Sequence, residues 1–496
     1  MIGKFFEKTS RLVVLIITSI ILGLMMYLNF NDVHKTKVIQ SEKIYVITYF
    51  IVCILIGFLL YKIKNKKYFI VGLFIVSFII RLIWVLNINS VPVSDFTQMY
   101  EGAQNILNGN TELVRNSGYF EVWVYQLGFS AFQSIILRIF GDSILVLKIT
   151  NAFISACIPV VIYLICDKLK NSKYCRIPAL IYAFYLTSIV MTSVLTNQHL
   201  ATLLIYIGLY ILIDKENNIL WLAISAVLMA LGNIVRPEGI IVIIALFLFF
   251  IFKDFSNIKK PKIFLTKNIL KPVLILLVYL LTMTSVSAVF KAKGYTDYNI
   301  GNREPYWKFV IGLNPKHNGL WNSEDGDLVN RYPVGSERDE YEKKLILERI
   351  KDKDAMLELF DKKFKYMWSG NDWGSIGFSL NYENASSEFR SILLRIEKIE
   401  FMAIIILMSL SLIFTIFRKV PFNNYYLFMI IFIGYILVHL LVEVQTRYRY
   451  FIIPCMVILT VESLSQLKIL NNYKEKVPKR TWPLSLGLFI IYYEIV

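Results

Sequence analysis

Long apolar runs without a single charge recur along this 496-residue chain, for example at 240–252 and 404–417. The whole sequence is 56% hydrophobic and only 18% charged. A water-soluble fold of this length could not bury so much apolar surface, whereas a bilayer can solvate it. We therefore predict an all-α polytopic membrane protein, a bundle of about 11 to 14 transmembrane helices.

The predicted spans lie at 11–30, 43–62, 69–89, 144–166, 177–195, 200–213, 219–234, 238–252, 272–290, 399–417, 424–441, 450–467 and 482–494. The first follows Lys4, Lys8 and Arg11, as the apolar part of a signal peptide would. It is too long for such a peptide and lacks a small-residue cleavage site, so we interpret it as a retained span.

The formal net charge of +17 comes from Lys and Arg gathered in alternate loops, at 62–67, 168–176, 259–262 and 474–480. This is the positive-inside pattern, which predicts a cytoplasmic N-terminus and argues against nucleic-acid binding. Heavy use of Ile, Lys and Asn is typical of an AT-rich bacterial genome and so favours a plasma membrane. The partner that composition predicts directly is the lipid bilayer.

Cysteine and histidine give no sign of a metal site or a disulfide framework. The five cysteines fall in predicted spans or at their inner ends, and the four histidines are scattered. We expect no metal bound by these residues and no cofactor.

The spans divide the chain into four parts. These are an N-terminal transmembrane hairpin at 1–68, a membrane core at 69–290 with a first outer loop at 90–142, an extracytoplasmic cap at 291–398, and C-terminal transmembrane helices at 399–496. Apolar residues at helical spacing predict interfacial helices at 95–108 and 127–140, and a cap helix within 336–367.

Asp95 ends a Pro-Val-Ser-Asp sequence just after the third span, so its carboxylate lies where a lipid-anchored substrate would come close. The alternative is structural: Ser94 or Asp95 caps the helix that follows. The two roles do not exclude each other.

A second polar group stands at the outer end of a late span. It contains Glu443, Gln445, Arg447, Tyr448 and Arg449. Two guanidinium groups with a carboxylate and a tyrosine suit a phosphate headgroup, because Arg binds phosphate through two hydrogen bonds. The alternative is an interfacial anchor, since Arg and Tyr both favour that zone.

Other polar residues lie between or inside apolar runs. Arg236 and Glu238 flank a proline in an outer turn, where they form either a local ion pair at a helix break or part of a phosphate site. Arg81 lies inside the third span, nearer its outer half, so we expect it to face the bundle interior or the cavity lined by these polar residues. The turn at Asn197, Gln198 and His199 either lines the same cavity or only joins two helices.

Together, Pro-x-Ser-Asp early, Asn-x-x-Arg-Pro-x-Gly in mid-chain and Glu-x-Gln-x-Arg-Tyr near the end resemble the GT-C membrane glycosyltransferases. More narrowly, they are similar to bacterial family 39-type enzymes related to protein O-mannosyltransferases and aminoarabinose transferases. The resemblance runs from about residue 68 to 467, and 311–314 and 319–322 add to it. It implies a GT-C-like membrane core.

The resemblance implies that a sugar passes from a polyprenyl-phosphate-linked donor to an acceptor outside the membrane. The acceptor is a glycan, lipid or protein of the cell envelope. Asp95 would act as general base, and Arg236 and Arg447 would hold the donor phosphate. There are departures: Phe96 stands where many relatives have a second acid, Glu101 lies one to two helical turns on, and no carboxylate occurs at 197–199.

A polysaccharide polymerase and a lipid-linked glycan transporter or flippase are the alternatives, since both also have many spans. A transferase requires Asp95, Arg236, Glu443 and Arg447 in one place. We expect Asp95 and Arg447 within about 20 Å, two helix diameters.

Overall fold

A computed structural model describes residues 2–33, 40–253, 264–382 and 385–465. It is 80% helical and contains no strand within those ranges. This confirms the predicted all-α polytopic class. The last predicted span, at 482–494, lies outside the described residues.

The helices of the first half are α1 (Ile2–Val33), α2 (Gln40–Lys62), α3 (Lys66–Asn87), α4 (Asp95–Leu107), α5 (Thr111–Arg115), α6 (Gly118–Val122), α7 (Leu127–Phe140), α8 (Ile144–Lys170), α9 (Arg176–Phe184), α10 (Leu186–Val190), α11 (Gln198–Lys215), α12 (Ile219–Val235) and α13 (Gly239–Phe252). The later helices are α14 (Lys271–Ala292), α15 (Trp307–Gly312), α16 (Ser323–Val329), α17 (Ser336–Arg349), α18 (Lys353–Trp368), α19 (Trp373–Ser379), α20 (Ser387–Phe417), α21 (Asn424–Leu441) and α22 (Arg449–Leu459). Short 3-10 turns occur at Val124–Gln126, Lys173–Cys175, Met191–Ser193 and Thr446–Tyr448, and a π-helical turn at Leu265–Leu270.

Every predicted span within the described residues is largely helical, but the one at 177–195 is broken at Tyr185 and others are too short to cross a membrane alone. Among the described residues, eight helices are long and apolar enough to cross a membrane, or nine if a pair bent by 55° counts as one span. The apolar helices α12 and α13 have 17 and 14 residues. At 1.5 Å per residue both are shorter than a hydrocarbon core of about 30 Å. The two helices are short because the Arg236–Pro237 break separates them.

The bent pair is held by Arg81 from α3. Its guanidinium is fully buried and donates to Ser155 Oγ at 2.8 Å, Ser188 Oγ at 2.7 Å and the carbonyl of Ala183 at 3.1 Å. These acceptors lie on both sides of the bend at Tyr185 and on the neighbouring α8. Arg81 is therefore engaged within the helical core, where it donates to the Ala183 carbonyl next to the bend and to two serine hydroxyl groups.

The first outer loop contains α4 and α7, close to the predicted 95–108 and 127–140. The expected cap helix is two helices, α17 and α18, which are separated at 350–352 because the Asp352 side chain accepts from Ala355 N and starts a new helix. The short helices α15 and α19 connect the cap to the ends of the spans, where the polar residues lie.

Candidate functional site

Asp95 is the first residue of α4 and follows a strained position. Ser94 has φ 55° and ψ −132°, a region that favours glycine, and its side chain makes no capping hydrogen bond. Holding such a conformation costs about 1–3 kcal/mol and is common beside functional groups. The Asp95 side chain is 44% exposed. The strained residue thus directly precedes an accessible carboxylate.

Arg447 faces Asp95 from the 3-10 turn at Thr446–Tyr448. Its guanidinium lies 3.9 Å from Asp95 Oδ2 and donates through Nε to Gln445 Oε1 at 2.5 Å. The side chain is only 7% exposed because it packs among three rings. Its guanidinium carbon lies 5.3 Å from the ring of Phe96, 5.0 Å from that of Phe378 and 5.4 Å from that of Tyr448. At 3.9 Å the two charges attract without closing a hydrogen bond.

Arg236 also approaches the ring of Tyr448. It pairs with Glu238 Oε1 at 2.7 Å, donates to Asn197 Oδ1 at 3.3 Å, and lies 5.1 Å from the Tyr448 ring. Because Arg236 and Arg447 share that ring, their guanidinium carbons are at most about 10.5 Å apart. The Arg236–Glu238 ion pair, which was the alternative to a phosphate site, is present. Arg236 nevertheless lies close to Arg447.

Lys308, on α15, joins this group although the sequence did not single it out. Its ammonium forms an ion pair with Glu443, which is 1% exposed and also accepts from Gln445 Nε2 at 2.7 Å. Burial alone would raise the pKa of Glu443, but the Lys308 charge, hydrogen bonds from Lys308 and Gln445, and the Arg447 charge together hold that pKa below its ordinary value. Burial opposes the Lys308 charge as well, yet Tyr448 and Glu443 raise the pKa of Lys308. Both groups are therefore ionised at neutral pH.

We call these residues the Tyr448 cluster: Tyr448 with Arg236, Lys308, Glu443 and Arg447, and Asp95 beside Arg447. Two tyrosines of the first outer loop lie beside it. Burial and the Asp95 charge raise the pKa of Tyr119, and burial raises the pKa of Tyr125 to about 12. Both phenols remain neutral and can donate hydrogen bonds. An aromatic-rich sequence at 118–125 was the only hint of them.

The remaining predicted residues fall into two groups. Gln198 contacts the cluster by donating to the Arg447 carbonyl at 2.8 Å. Asn197 stabilises the turn by donating to Gln126 Oε1 and to the Val235 carbonyl, both at 3.0 Å. His199 is buried and bonds Tyr450 Oη through Nδ1 at 2.5 Å. Glu101 is exposed two turns along α4 and is not brought to Asp95.

Arg449 points away from Arg447. It is 1% exposed, forms an ion pair with Glu397 at 3.2 Å, and lies 4.5 Å from the ring of Phe401. Both partners are on α20, inside the bundle. Arg449 therefore ties α20 to the start of α22, and its predicted contact with a donor phosphate is not part of this geometry.

The cluster offers an anion three cationic side chains, of which Arg236 and Lys308 are paired with Glu238 and Glu443, and the accessible Asp95 carboxylate lies beside the third, Arg447. Among the described residues, no group of three or more His, Cys, Asp and Glu side chains is arranged to hold a metal ion. Arginine and lysine arranged in this way suit a phosphate, and the accessible carboxylate suits a proton acceptor.

Residues 127–286 match the family model described as dolichyl-phosphate-mannose-protein mannosyltransferase. The match covers about a third of the chain, and includes Asn197, Gln198, Arg236 and Glu238. No curated protein matches the chain significantly. The family match confirms the resemblance to GT-C membrane glycosyltransferases, which use lipid-linked sugars.

Proposed function

We propose that this protein moves a sugar from a polyprenyl-phosphate-linked donor to an acceptor hydroxyl at the outer face of the plasma membrane. The observation that carries the proposal is the Tyr448 cluster. There the Asp95 carboxylate lies 3.9 Å from Arg447, and Arg236 approaches the same tyrosine. A base and a phosphate-binding pair are thus side by side at the ends of the spans.

Asp95 is the general base in this mechanism. The acceptor hydroxyl loses its proton to the Asp95 carboxylate while its oxygen attacks the anomeric carbon. The bond from that carbon to the donor phosphate oxygen breaks, and its electron pair leaves with the phosphate. Positioned proton transfer of this kind typically accelerates a reaction by about 10²–10⁴-fold.

Arg447 and Arg236 meet the charge that develops on the departing phosphate. Both side chains are mostly buried, at 7% and 15% exposure, so water screens them little. Neighbouring aromatic rings and side-chain amide groups hold the two guanidinium groups in place before the donor binds. The guanidinium groups therefore need not reorganise during the reaction.

Lys308 supplies a third positive charge and Glu443 sets its position. The Glu443 N–H donates to the Lys308 carbonyl at 2.8 Å, in addition to the side-chain ion pair, so the two segments are joined twice. We infer that Lys308 approaches the phosphate from the cap side. Tyr119 and Tyr125 are placed to donate to the sugar or to a phosphate oxygen.

The orientation is inferred from charge. Lys66, at the start of α3, pairs with Asp167 at 3.0 Å near the end of α8, in the basic loops that the positive-inside rule assigns to the cytoplasm. Asp95 follows the opposite end of α3. The N-terminus is then cytoplasmic and the Tyr448 cluster extracytoplasmic.

The test is transfer of a radiolabelled sugar from a panel of polyprenyl-phosphate donors, by the full-length protein in membranes that contain its acceptor. We expect transfer by the wild type and a loss of about 100-fold or more for Asp95→Asn. Glu112→Gln is the matched control, because Glu112 is an exposed acid of the same outer loop.

Equal transfer by the wild type and Asp95→Asn would contradict the general-base role. A wild type that neither transfers sugar nor binds any polyprenyl-phosphate donor would contradict the reaction class. It would favour a polysaccharide polymerase or a lipid-linked glycan transporter.

A further inference from the structure

Lys363, in α18 of the cap, is a buried lysine that the proposed mechanism does not use. It is 1% exposed. Its ammonium donates to three backbone carbonyls, that of Gly312 at 2.7 Å, that of Leu440 at 2.6 Å and that of Val442 at 2.8 Å. An ammonium has three protons, so each proton has one acceptor. The protein itself therefore satisfies this cation completely.

The three carbonyls belong to the two segments that carry the Lys308–Glu443 ion pair. Gly312 is the last residue of α15, and Lys308 is the second. Leu440 lies at the end of α21, and Val442 immediately precedes Glu443. One ammonium thus joins the backbones of both ion-pair partners.

Capping of α21 would be a purely structural role for Lys363. The last carbonyls of a helix have no N–H partner within the helix and carry partial negative charge, so a cation there is stabilising. This role accounts for the bonds to Leu440 and Val442. It does not account for the bond to Gly312, which lies in a different helix.

A glycine makes room for the lysine side chain. Gly319 has φ 71°, and a Cβ atom there would lie 2.7 Å from Lys363 Cδ and 2.9 Å from Lys363 Cε. The Gly319 carbonyl also accepts from the Val444 N–H at 3.1 Å. Lys363 is therefore packed against a third segment that is bonded to the same late motif.

The charge of Lys363 matters because only the ammonium form has a proton for each carbonyl. Burial lowers the pKa of Lys363 to about 7, and the Glu443 charge opposes that shift. Hydrogen bonds to three carbonyls also favour the charged form. At pH 6 Lys363 is therefore protonated and makes all three bonds.

We propose that Lys363 is a positioning residue for sugar transfer, which holds the Lys308 and Glu443 segments together so that the Lys308 ammonium faces the donor phosphate. This inference rests on the proposed function, in which Lys308 approaches that phosphate. Lys363 acts through Lys308 and Glu443 and does not itself contact a substrate.

Hydrogen exchange at residues 440–444 tests the contact without any substrate, in full-length protein in detergent at pH 6. The Glu443 and Val444 N–H groups donate to the Lys308 and Gly319 carbonyls, so their exchange reports whether the segments stay joined. We expect Lys363→Met, which keeps the length of the side chain and removes its three donors, to exchange about tenfold faster or more than the wild type. Lys362→Met is the matched control, because Lys362 is an exposed lysine of the same helix and should exchange as the wild type does.

A double-mutant cycle then tests how Lys363 acts. The values of kcat/KM for the donor are compared at pH 6 for the wild type, Lys363→Met, Lys308→Gln and the double variant. We expect Lys363→Met to lose about tenfold or more. The double variant should be no less active than Lys308→Gln alone, because Lys363 acts only through Lys308. A general loss of stability would instead multiply the two losses.

Multiplied losses, or unchanged exchange in Lys363→Met, would overturn the proposal. Gly319→Ala is the second variant, since it displaces the Lys363 side chain without removing its charge, and we expect it to exchange faster as well. If neither variant folds, Lys363 supports the fold as a whole and its assignment as a positioning residue is wrong. A wild type that transfers no sugar contradicts the proposed function, whereas unchanged exchange contradicts the Lys363 contact alone, so the two failures are distinguishable.

Discussion

At the scale of single residues, the candidate site depends on side chains that are costly to hold in place. Ser94 adopts a glycine-like conformation immediately before Asp95, and Arg447 is enclosed by Phe96, Phe378 and Tyr448. Such costs persist only where the surrounding structure fixes the conformation. The position of the carboxylate relative to the guanidinium is thus set before any substrate binds.

Neighbouring positions in the late motif could not be told apart from sequence. Arg447 and Arg449 are two residues apart, and on helical backbone such side chains point in nearly opposite directions. One faces Asp95 and the other Glu397. Sequence spacing indicates that two arginines are present, but only the packing of α20 and α22 decides which one faces outward.

Glu342, in α17 of the cap, gives a pH-dependent prediction. It is fully buried, and neither carboxylate oxygen has a hydrogen-bond partner. Burial and the charge of Asp339 raise the pKa of Glu342 from 4.5 to about 7, although Arg338 opposes the shift. Between those pH values the folded protein binds a proton that the unfolded chain does not. The contribution of this bound proton to the stability of the folded protein is therefore complete below about pH 4.5 and is lost as the pH rises through about 7.

At pH 8 we expect Glu342→Gln to melt at a higher temperature than the wild type, with a free energy of unfolding larger by on the order of 1–3 kcal/mol. Near pH 5 we expect the two proteins to melt alike. Thermal denaturation in detergent at the two pH values measures the difference. The control is Glu340→Gln, an exposed acid of the same helix. A difference between Glu342→Gln and wild type that does not change with pH would contradict the role of this titration.

At the scale of elements, the short helices α15 and α19 connect the cap to the ends of the spans. Helix α15 brings Lys308 against the segment that carries Glu443, and the Gly374 N–H of α19 donates to Thr446 Oγ1 at 2.9 Å. The sequence predicted a helical cap, but it could not predict these contacts, because they join segments more than 70 residues apart. Lys308 was missed for that reason.

Gly312 tests the contact of α15 with the late motif. A Cβ atom at this position would lie 2.3 Å from the Val442 carbonyl carbon, 2.4 Å from the Leu441 oxygen and 2.6 Å from the Glu443 nitrogen. All three are backbone atoms, so no side-chain rotation can relieve the clash. Gly312→Ala must push α15 away from Glu443.

We expect Gly312→Ala to destabilise the protein by about 1–3 kcal/mol and to reduce sugar transfer, because Lys308 and Glu443 separate. Gly326→Ala is the control, since a Cβ at that helical glycine meets nothing within 4 Å. Thermal melting and the transfer assay measure the two effects. If both alanine variants melt alike, α15 does not need the close approach.

At the scale of the whole molecule, most of the helical architecture was predictable. A bilayer core imposes long apolar helices, and these leave an unambiguous pattern in the sequence. The short α12 and α13 were predicted with nearly their observed bounds. The bend between α9 and α10 was not predicted, because a break inside an apolar run depends on partners such as Arg81. The motifs indicated which residues are chemically suited to the site, whereas Tyr119, Tyr125 and Lys308 reach it only through the fold.

The measurement that tests the central claim most directly is the affinity for a polyprenyl-phosphate donor of three proteins: the wild type, Asp95→Asn and Arg447→Gln. If Asp95 is a base beside a phosphate held by Arg447, Asp95→Asn binds the donor at least as tightly as the wild type, because it removes a negative charge near the phosphate. Arg447→Gln should bind about tenfold or more weakly, because a charge-assisted hydrogen bond is lost. Equal weakening in both variants, or wild-type affinity in Arg447→Gln, would contradict the division of labour between the carboxylate and the guanidinium.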